Sequence, residues 1–198
     1  VTTPSRYLYE TMQPYSQKIR LLPNPINFDS YIFRHRTNPG PNLIWLRAFH
    51  EVYNPTLAVR SLAQLMTDYP EARLMMIGPD RGDGSLDETK NVARELRVLD
   101  RIEFPGGVSK NDVPTWMDKG DIFINTSNVD NTPVSVLEAM ACGLMVVSTN
   151  VGGIPYLLED KITALLVPPK NPPAIADAIQ RLLTDQDLAQ SLVKNARK

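Results

Sequence analysis

Two carboxylates separated by seven residues, Asp130 and Glu138, flank a predicted helix start. The backbone N–H groups in the first turn of a helix have no partner inside the helix, so that end can bind an anion. The hydroxyls of Thr132 and Ser135 add hydrogen-bond donors there, whereas Pro133 contributes none. Carboxylates beside an anion site can accept hydrogen bonds from the hydroxyls of a sugar or a ribose. This pattern therefore favours binding of a sugar that is joined to a nucleoside diphosphate.

Each of these residues also has an ordinary structural explanation. Thr132 and Asp130 can simply cap the helix, and Glu138 can lie on its solvated face. Arg47, which directly follows a predicted strand, can be an ordinary surface charge that forms an ion pair. For each residue alone, the ordinary explanation is sufficient. The case for ligand binding therefore depends on these residues occurring together and on the sequence segments around them.

From residue 42 onward, short apolar runs alternate with helical patterns. The predicted strands span residues 19–22, 43–46, 74–77, 102–104, 122–125, 146–149 and 164–167. Helices are predicted after the capping residues Ser5, Asn54, Ser85, Thr132, Asn171 and Asp185, with one more brief helix at 113–117. Strand–helix alternation at this spacing predicts a doubly wound, Rossmann-like α/β domain built on a parallel sheet. Ligands bind such sheets at the carboxyl ends of the strands, in the loops that carry Arg47 and Asp130.

Composition excludes several classes of protein. The net charge of the 198 residues is −1, so the chain lacks the excess of positive charge that is typical of nucleic-acid-binding proteins. The single cysteine, Cys142, excludes an internal disulfide and a cysteine-rich metal cage, and it fits a reducing compartment. The apolar runs are too short to cross a bilayer. His35 and His50 have no partner at metal-ligand spacing, so we expect surface histidines and no metal.

Three motifs that would indicate other chemistries are missing from the sequence. No Gly-x-Gly-x-x-Gly follows the first strand, no Gly-x4-Gly-Lys-Ser/Thr occurs, and no serine lies in a Gly-x-Ser-x-Gly turn. These absences argue against a dinucleotide oxidoreductase, a P-loop NTPase and a serine nucleophile on a strand-to-helix elbow, respectively.

The residues after Glu138 complete a longer pattern. Residues 139–143 read Ala-Met-Ala-Cys-Gly, and after one predicted strand residues 151–155 read Val-Gly-Gly-Ile-Pro. In order and spacing, Asp130-x7-Glu138 with these two segments resembles the group-1 family of retaining, two-domain GT-B glycosyltransferases, of the glycogen synthase and mannosyltransferase (family 4) type. Looser resemblances occur at residues 22–27, 78–80 and 106–108, so the likeness runs over nearly the whole chain.

The resemblance implies that residues 43–198 form the C-terminal domain that binds the nucleotide-sugar donor, with residues 1–42 as an arm or linker packed on it. An N-terminal domain that binds the acceptor would be absent from this chain, which begins at Val1. The family activity would be transfer of a hexose from a nucleoside-diphosphate sugar to a saccharide or lipid acceptor, in polysaccharide biosynthesis. The chain alone would fold but be inactive. A cytoplasmic location is expected, and contact with the inner face of a membrane is left open.

By the same resemblance, Glu138 would hold the ribose hydroxyls, Asp130 would contact the transferred sugar, and Arg47 would clamp the diphosphate. These three would be the catalytic residues. The remaining donor-binding residues would be Gly78, Asp80, Val108, Thr132, Pro133, Val134, Ser135, Gly152 and Gly153. The nucleotide sugar is a substrate, so no cofactor is implied, and the arginine with the helix N-terminus would carry the phosphate charge without a metal.

Three positions depart from the family pattern. Asp130 replaces a glutamate, Tyr156 replaces another, and Tyr53 begins the segment that stands where a Lys-Gly pair would supply a second phosphate-binding cation. Arg60 or Arg81 are the candidates to substitute for that cation. The departures motivate an alternative, a catalytically degenerate nucleotide-sugar-binding or scaffold module of the same fold. A sugar-nucleotide epimerase or a phosphorylase would share the architecture, but the two histidines supply no acid–base set that we can identify.

Overall fold

The computed structural model describes residues 1–16 and 18–197. Gln17, in the predicted arm 1–42, and Lys198, in the predicted domain 43–198, lie outside the described residues. The strands are β1 (Thr2–Thr3), β2 (Arg20–Leu21), β3 (Asn42–Leu46), β4 (Arg73–Ile77), β5 (Ile102–Gly106), β6 (Ile122–Asn125), β7 (Met145–Thr149) and β8 (Leu165–Val167). The α-helices are α1 (Arg6–Met12), α2 (Pro55–Leu65), α3 (Ser85–Glu95), α4 (Val113–Met117), α5 (Val134–Ala141), α6 (Ile154–Leu157), α7 (Pro172–Thr184) and α8 (Gln186–Ala196). The short helix α6 was not predicted. Within the described residues, no helix combines the length and the apolar character needed to cross a membrane.

Strands β3 to β8 form one parallel sheet in the order β5-β4-β3-β6-β7-β8. Leu43 of β3 is in register with Leu74 of β4 on one side and with Ile122 of β6 on the other. The chain therefore runs outward from β3 to β5 and then returns to pair β6 with β3, which makes the β3–β6 boundary a topological switch point. The predicted doubly wound, Rossmann-like α/β fold is confirmed.

Helices cover both faces of the sheet because alternate strand residues point to opposite sides. Leu43 and Trp45 belong to the apolar core that includes residues of α2, α3 and α7, whereas Ile44 belongs to the core that includes residues of α4 and α5. Trp45 is fully buried, and its indole Nε1 donates to Thr126 Oγ1 at 2.9 Å. The Thr126 hydroxyl in turn donates to the backbone oxygen of Tyr53 at 2.8 Å. These bonds fix the loop after β3 against the end of β6.

Two predicted helix caps are wrong. Helix α3 begins with Ser85 itself, and Gly84 takes the cap position with φ +85°. The Asp83 carboxylate accepts from both the backbone N–H of Ser85, at 3.1 Å, and its hydroxyl, at 2.8 Å, so the preceding loop supplies the capping oxygen. Helix α5 follows Pro133, and no described side chain caps it, so Thr132 is not its cap. The start of α5 is therefore left open.

Three predicted caps are confirmed, and one position acts differently. The side chains of Ser5, Asn171 and Asp185 accept hydrogen bonds from backbone N–H groups in the first turns of α1, α7 and α8. Asn54 occupies the cap position of α2, but in the left-handed conformation with φ +47°. Its side-chain amide donates to Asn128 Oδ1 at 3.1 Å instead of capping the helix. Asn54 thus joins the loop after β3 to the loop after β6.

Residues 1–42 pack on the sheet domain through buried polar contacts. The Arg36 side chain is only 2% exposed, and its guanidinium donates to the backbone oxygens of Gly120 at 2.9 Å and Cys142 at 2.7 Å. The Asp121 carboxylate accepts from the backbone N–H of Gly40 at 3.1 Å. These bonds tie the arm to the segments that precede β6 and follow α5.

Replacing Arg36 by methionine should lower the free energy of unfolding by about 3 kcal/mol, because buried carbonyl groups would lose a charged donor. Urea denaturation followed by circular dichroism measures the change. The matched control is Arg6→Met, because Arg6 is 73% exposed and pairs with Glu10 one turn away. Losing that exposed pair should cost about 0.5 kcal/mol or less. Equal effects of the two replacements would contradict the structural role of Arg36.

Candidate functional site

A cavity of about 330 Å³ opens at the carboxyl ends of β3 and β4, beside the start of α5. Its described lining consists of Leu46, Arg47, Ala48, Tyr53, Ile77, Gly78, Pro79, Arg81, Val108, Val113, Val134, Ser135 and Glu138. This edge of the sheet, next to the β3–β6 switch point, is where parallel sheets bind their ligands. The lining combines apolar side chains with two arginines, a carboxylate and the hydroxyls of Tyr53 and Ser135, so it fits a ligand that has both polar and apolar parts.

Arg47 follows the last residue of β3 and is held by two contacts. Its guanidinium pairs with the Asp130 carboxylate in the loop between β6 and α5, and its Cζ lies 4.1 Å from the centre of the Tyr53 ring. The Arg47 and Asp130 side chains are 16% and 6% exposed, so salt screens the pair only weakly. The pair therefore joins the loops after β3 and β6 across the switch point.

Asp130 organises its own loop through further hydrogen bonds. Its Oδ2 accepts from the Ser127 hydroxyl at 2.8 Å, and its Oδ1 accepts from the backbone N–H of Asn131 at 2.9 Å. Its backbone oxygen accepts from the N–H of Gly153 at 2.9 Å. A Cβ at Gly152 would lie 2.2 Å from that same oxygen, so glycine is needed for the two loops to pack this closely. The glycine pair thus packs against protein backbone, and it is not in the described lining of the cavity.

Two buried polar groups at the cavity have no hydrogen-bond partner among the described residues, namely Nε of Arg47 and the hydroxyl of Ser135. Ser135 is 4% exposed and lies in the uncapped first turn of α5. A buried polar group without a partner costs about 1–3 kcal/mol. A ligand with several acceptor oxygens, such as a phosphate, would satisfy both groups together with the free N–H groups of the helix start.

Glu138 lies on the second turn of α5, is 5% exposed and lines the cavity, so the explanation that placed it on a solvated face is wrong. The Tyr31 hydroxyl donates to its Oε1 at 2.7 Å. Burial, together with this carboxylate, raises the pKa of Tyr31 above its ordinary value, so the tyrosine remains a donor at neutral pH. Because an ionised carboxylate can accept about four hydrogen bonds, Glu138 can still bind hydroxyl groups of a ligand.

The structure brings some of the predicted site residues together and separates others. Those that line the cavity are Arg47, Gly78, Val108, Val134, Ser135 and Glu138. Asp80, Asp130, Thr132 and Pro133 are not in its described lining, although Asp130 contacts the lining residue Arg47. Asp80 is exposed and accepts from the backbone N–H of Gly82 at 2.9 Å, and Thr132 lies in a separate groove between the arm and α6. Pro133 takes the cap position of α5.

Among the residues that make polar or ring contacts at this site, Tyr31, Ser127 and Tyr53 were not assigned to it from the sequence. Tyr31 lies in the arm, 107 positions before Glu138, and Ser127 contacts Asp130 from within the same loop. No local sequence pattern could indicate the contact between Tyr31 and Glu138, because the two residues are so far apart in the chain. Tyr53 did carry a signal, because it stands where the family resemblance leads one to expect a cation, and in the structure its ring instead lies against Arg47.

The histidines and the cysteine have local structural roles. His50 Nδ1 accepts from the backbone N–H of Val52 at 3.2 Å, and the His35 ring packs against Phe33 with the ring centroids 4.9 Å apart. Cys142 is buried, which raises the pKa of its thiol to about 11, so the thiol is protonated at neutral pH. Among the residues that the structure describes, no three His, Cys, Asp or Glu side chains are grouped so as to hold a metal ion.

Sequence comparisons match this chain to proteins of known classes. The family model described as "Glycosyl transferases group 1" matches residues 28–198. An N-acetyl-α-D-glucosaminyl L-malate synthase of Bacillus anthracis is 27% identical over 157 residues, which cover 79% of this chain and 39% of the Bacillus protein. A GDP-mannose-dependent α-(1-6)-phosphatidylinositol monomannoside mannosyltransferase of Mycobacterium tuberculosis is 25% identical over 190 residues, which cover 92% of this chain and 49% of the mycobacterial protein. The chain thus spans less than half the length of both relatives.

A solved structure shares the whole fold. Anabaena HepE, crystallised in complex with UDP-glucose, superimposes with a TM-score of 0.88 at 19% sequence identity. The superposition covers 100% of this chain and 57% of HepE. At this level of identity the likeness establishes the fold alone.

Replacing Gly78 by alanine should lower the free energy of unfolding by about 3 kcal/mol, because a Cβ there would lie 1.8 Å from the backbone oxygen of Arg47 and the chain must move. Chemical denaturation measures the loss. The matched control is Gly82→Ala, because Gly82 also has a positive φ, +75°, but nothing lies within 4 Å of the added Cβ. The control should cost about 1–2 kcal/mol. Similar losses in the two variants would contradict the close approach at Gly78.

Proposed function

The chain belongs to the glycosyl transferases group 1 family, and we propose that it is the donor-binding domain of a retaining hexosyltransferase. The observation that carries the proposal is the cavity, at which Arg47, Ser135 and Glu138 present a cation, an unpaired hydroxyl and a buried carboxylate. A nucleoside-diphosphate sugar carries the complementary groups, which are phosphate oxygens and ribose hydroxyls. HepE, which has the same fold, was crystallised with UDP-glucose, and this supports a donor of that class.

In this proposal the diphosphate lies between Arg47 and the first turn of α5. Its oxygens accept from the Arg47 guanidinium, the Ser135 hydroxyl and the free N–H groups of the helix start. Asp130 and the Tyr53 ring already hold the guanidinium in place. The Arg47 side chain therefore loses little conformational entropy when the donor binds. The fixed positive charge then stabilises the negative charge that develops on the leaving diphosphate.

Glu138 binds the ribose hydroxyls, and Asp130 lies toward the transferred sugar. The bond from Tyr31 to Oε1 of Glu138 holds the carboxylate in one orientation and leaves acceptor positions for the ribose. Asp130 is one methylene shorter than the glutamate that the family resemblance implies at this position, and Arg47 offsets part of its charge. Gly78 and Val108 complete the wall of the cavity.

The reaction breaks the bond between C1 of the hexose and the β-phosphate oxygen, and the electron pair of that bond stays on the phosphate. A hydroxyl oxygen of the acceptor forms the new bond to C1 on the same face, and its proton passes to the departing phosphate. No metal takes part in this scheme, because Arg47 and the start of α5 carry the phosphate charge. The acceptor, a saccharide or a lipid, would be bound outside this chain.

A second candidate function is a nucleotide-sugar-binding or scaffold module without catalysis. It is favoured by the pairing of Arg47 with Asp130, which reduces the positive charge available to a leaving diphosphate. A nucleotide-sugar-binding module would bind the donor as the transferase does, whereas a scaffold that holds only a protein partner would not. Turnover by the whole protein distinguishes them, because the module would bind the donor without transferring the sugar.

The chain should bind at least one of UDP, GDP and ADP, and Glu138→Gln should weaken that binding about ten-fold, since a hydrogen bond to a charged group contributes about 1.5–3 kcal/mol. Isothermal titration calorimetry measures both. Inorganic pyrophosphate has no ribose, so it should bind the variant at least as tightly as the unaltered chain, because the replacement removes a negative charge that faces the cavity.

The matched control for this titration is Glu103→Gln. Glu103 is exposed on β5 and lies in a pocket at the opposite end of the strands, so its replacement should leave nucleotide binding unchanged. If none of the three nucleotides binds, the proposed function is wrong. If one binds and Glu138→Gln binds it equally well, the ribose role of Glu138 is wrong.

The chain by itself should transfer no sugar, because we place the acceptor site in the part of the relatives' length that this chain does not span. Incubation of the chain with radiolabelled UDP-glucose or GDP-mannose and a mixture of saccharide and lipid acceptors, followed by chromatography, measures transfer. Labelled acceptor formed by the 198-residue chain alone would contradict this division of roles.

A further inference from the structure

We propose that Arg81 binds the donor diphosphate as a second cation beside Arg47. The inference rests on the proposed function and adds to the donor site a residue from a different loop. It starts from the charges at the cavity. The Glu138 carboxylate lines the cavity, and the Asp130 carboxylate, which is outside the described lining, is already paired with Arg47.

Without Arg81, the charged side chains around the cavity would together oppose a polyanion, and the start of α5 would have to offset them. The carboxylates of Glu138 and Asp130 would outnumber the single guanidinium of Arg47. Because these side chains are largely buried, their charges are screened weakly, and the excess negative charge would repel a diphosphate. In the described lining of the cavity, Arg81 is the cation that remains besides Arg47, and its charge restores the balance.

The backbone of Arg81 is anchored next to the loop that carries Arg47. The N–H of Arg81 donates to the backbone oxygen of Phe49 at 3.3 Å, and Asp80 forms a parallel bridge with Phe49. The Asp80 carboxylate accepts from the N–H of Gly82 at 2.9 Å and so closes the turn. These contacts fix the point from which the Arg81 side chain extends along the cavity.

The Arg81 side chain is available to bind a ligand. It is exposed, and it forms no ion pair with any residue that the structure describes. A guanidinium presents its N–H donors in a planar fork that matches phosphate oxygens. Together with Nε of Arg47 and the hydroxyl of Ser135, it is a third unpaired donor at the same cavity.

Arg60, the other arginine that the sequence offers for this role, does not reach the site. It is exposed on α2 and is not in the described lining of the cavity. Arg60 is therefore a matched control, because it has the same charge and a similar exposure but lies elsewhere.

The test compares Arg81→Gln, Arg81→Lys and Arg60→Gln with the unaltered chain, in calorimetric titrations with UDP, GDP and ADP and with the corresponding monophosphates. Arg81→Gln should weaken binding of the nucleoside diphosphate about ten-fold, because a charge-assisted hydrogen bond is lost. It should weaken monophosphate binding less, since fewer phosphate oxygens are present. Arg81→Lys should restore part of the affinity, and Arg60→Gln should bind like the unaltered chain.

Salt provides a second readout. Because Arg81 is exposed, raising the salt concentration from about 50 mM to about 500 mM should reduce the difference between the unaltered chain and Arg81→Gln. A difference that is independent of salt would indicate altered folding and would overturn the inference.

The outcomes separate this inference from the proposed function. Diphosphate binding that is unchanged in Arg81→Gln would overturn the inference and leave the proposed function intact. Equal weakening by Arg81→Gln and Arg60→Gln would also overturn it, because the effect would then be a general loss of charge. If the unaltered chain binds none of the nucleotides, the proposed function fails and the inference fails with it.

Discussion

The ion pair between Arg47 and Asp130 is the contact on which the rest of the site depends. One partner follows β3 and the other follows β6, two strands that are neighbours in the sheet but far apart along the chain. Asp130 also accepts from Ser127 and Asn131 and supports Gly153 through its backbone oxygen. Removing one partner of a largely buried pair costs about 3–5 kcal/mol, because the other charge is left without compensation. Loss of the pair would therefore release the loop that sets the start of α5.

The arm at residues 1–42 contributes to the site through a hydrogen bond to Glu138. Tyr31 holds the carboxylate of Glu138, and the Tyr156 hydroxyl donates to Glu10 of α1 at 2.8 Å. The second bond gives Tyr156, which stands where the family pattern has a glutamate, a structural role as an anchor for the arm. The orientation of the Glu138 carboxylate thus depends on a segment that is remote from it in sequence.

Most of the fold could be predicted because each element has a local cause. Apolar runs become strands, and Ser5 and Asn171 cap helices as their positions indicate. The errors fall at two helix starts, where a residue close by in the sequence takes the part that we assigned to Ser85 or Thr132. At Ser85 the carboxylate of Asp83 supplies the capping oxygen instead, and at Thr132 the helix begins after the following proline. The second error bears on function, because the uncapped helix start lies at the cavity.

The sequence by itself determined the fold class and the family, and it singled out Arg47, Asp130 and Glu138 as candidate site residues. It could do so because hydrophobic periodicity and motif spacing are properties of neighbouring residues. Only the tertiary structure decided which polar groups pair with each other and which are left free at the cavity: Arg47 with Asp130, Tyr31 with Glu138, and Arg81 rather than Arg60 beside the site. These relations join residues that are far apart in the chain, and they exist because the crossovers of the parallel sheet bring the ends of its strands to one edge.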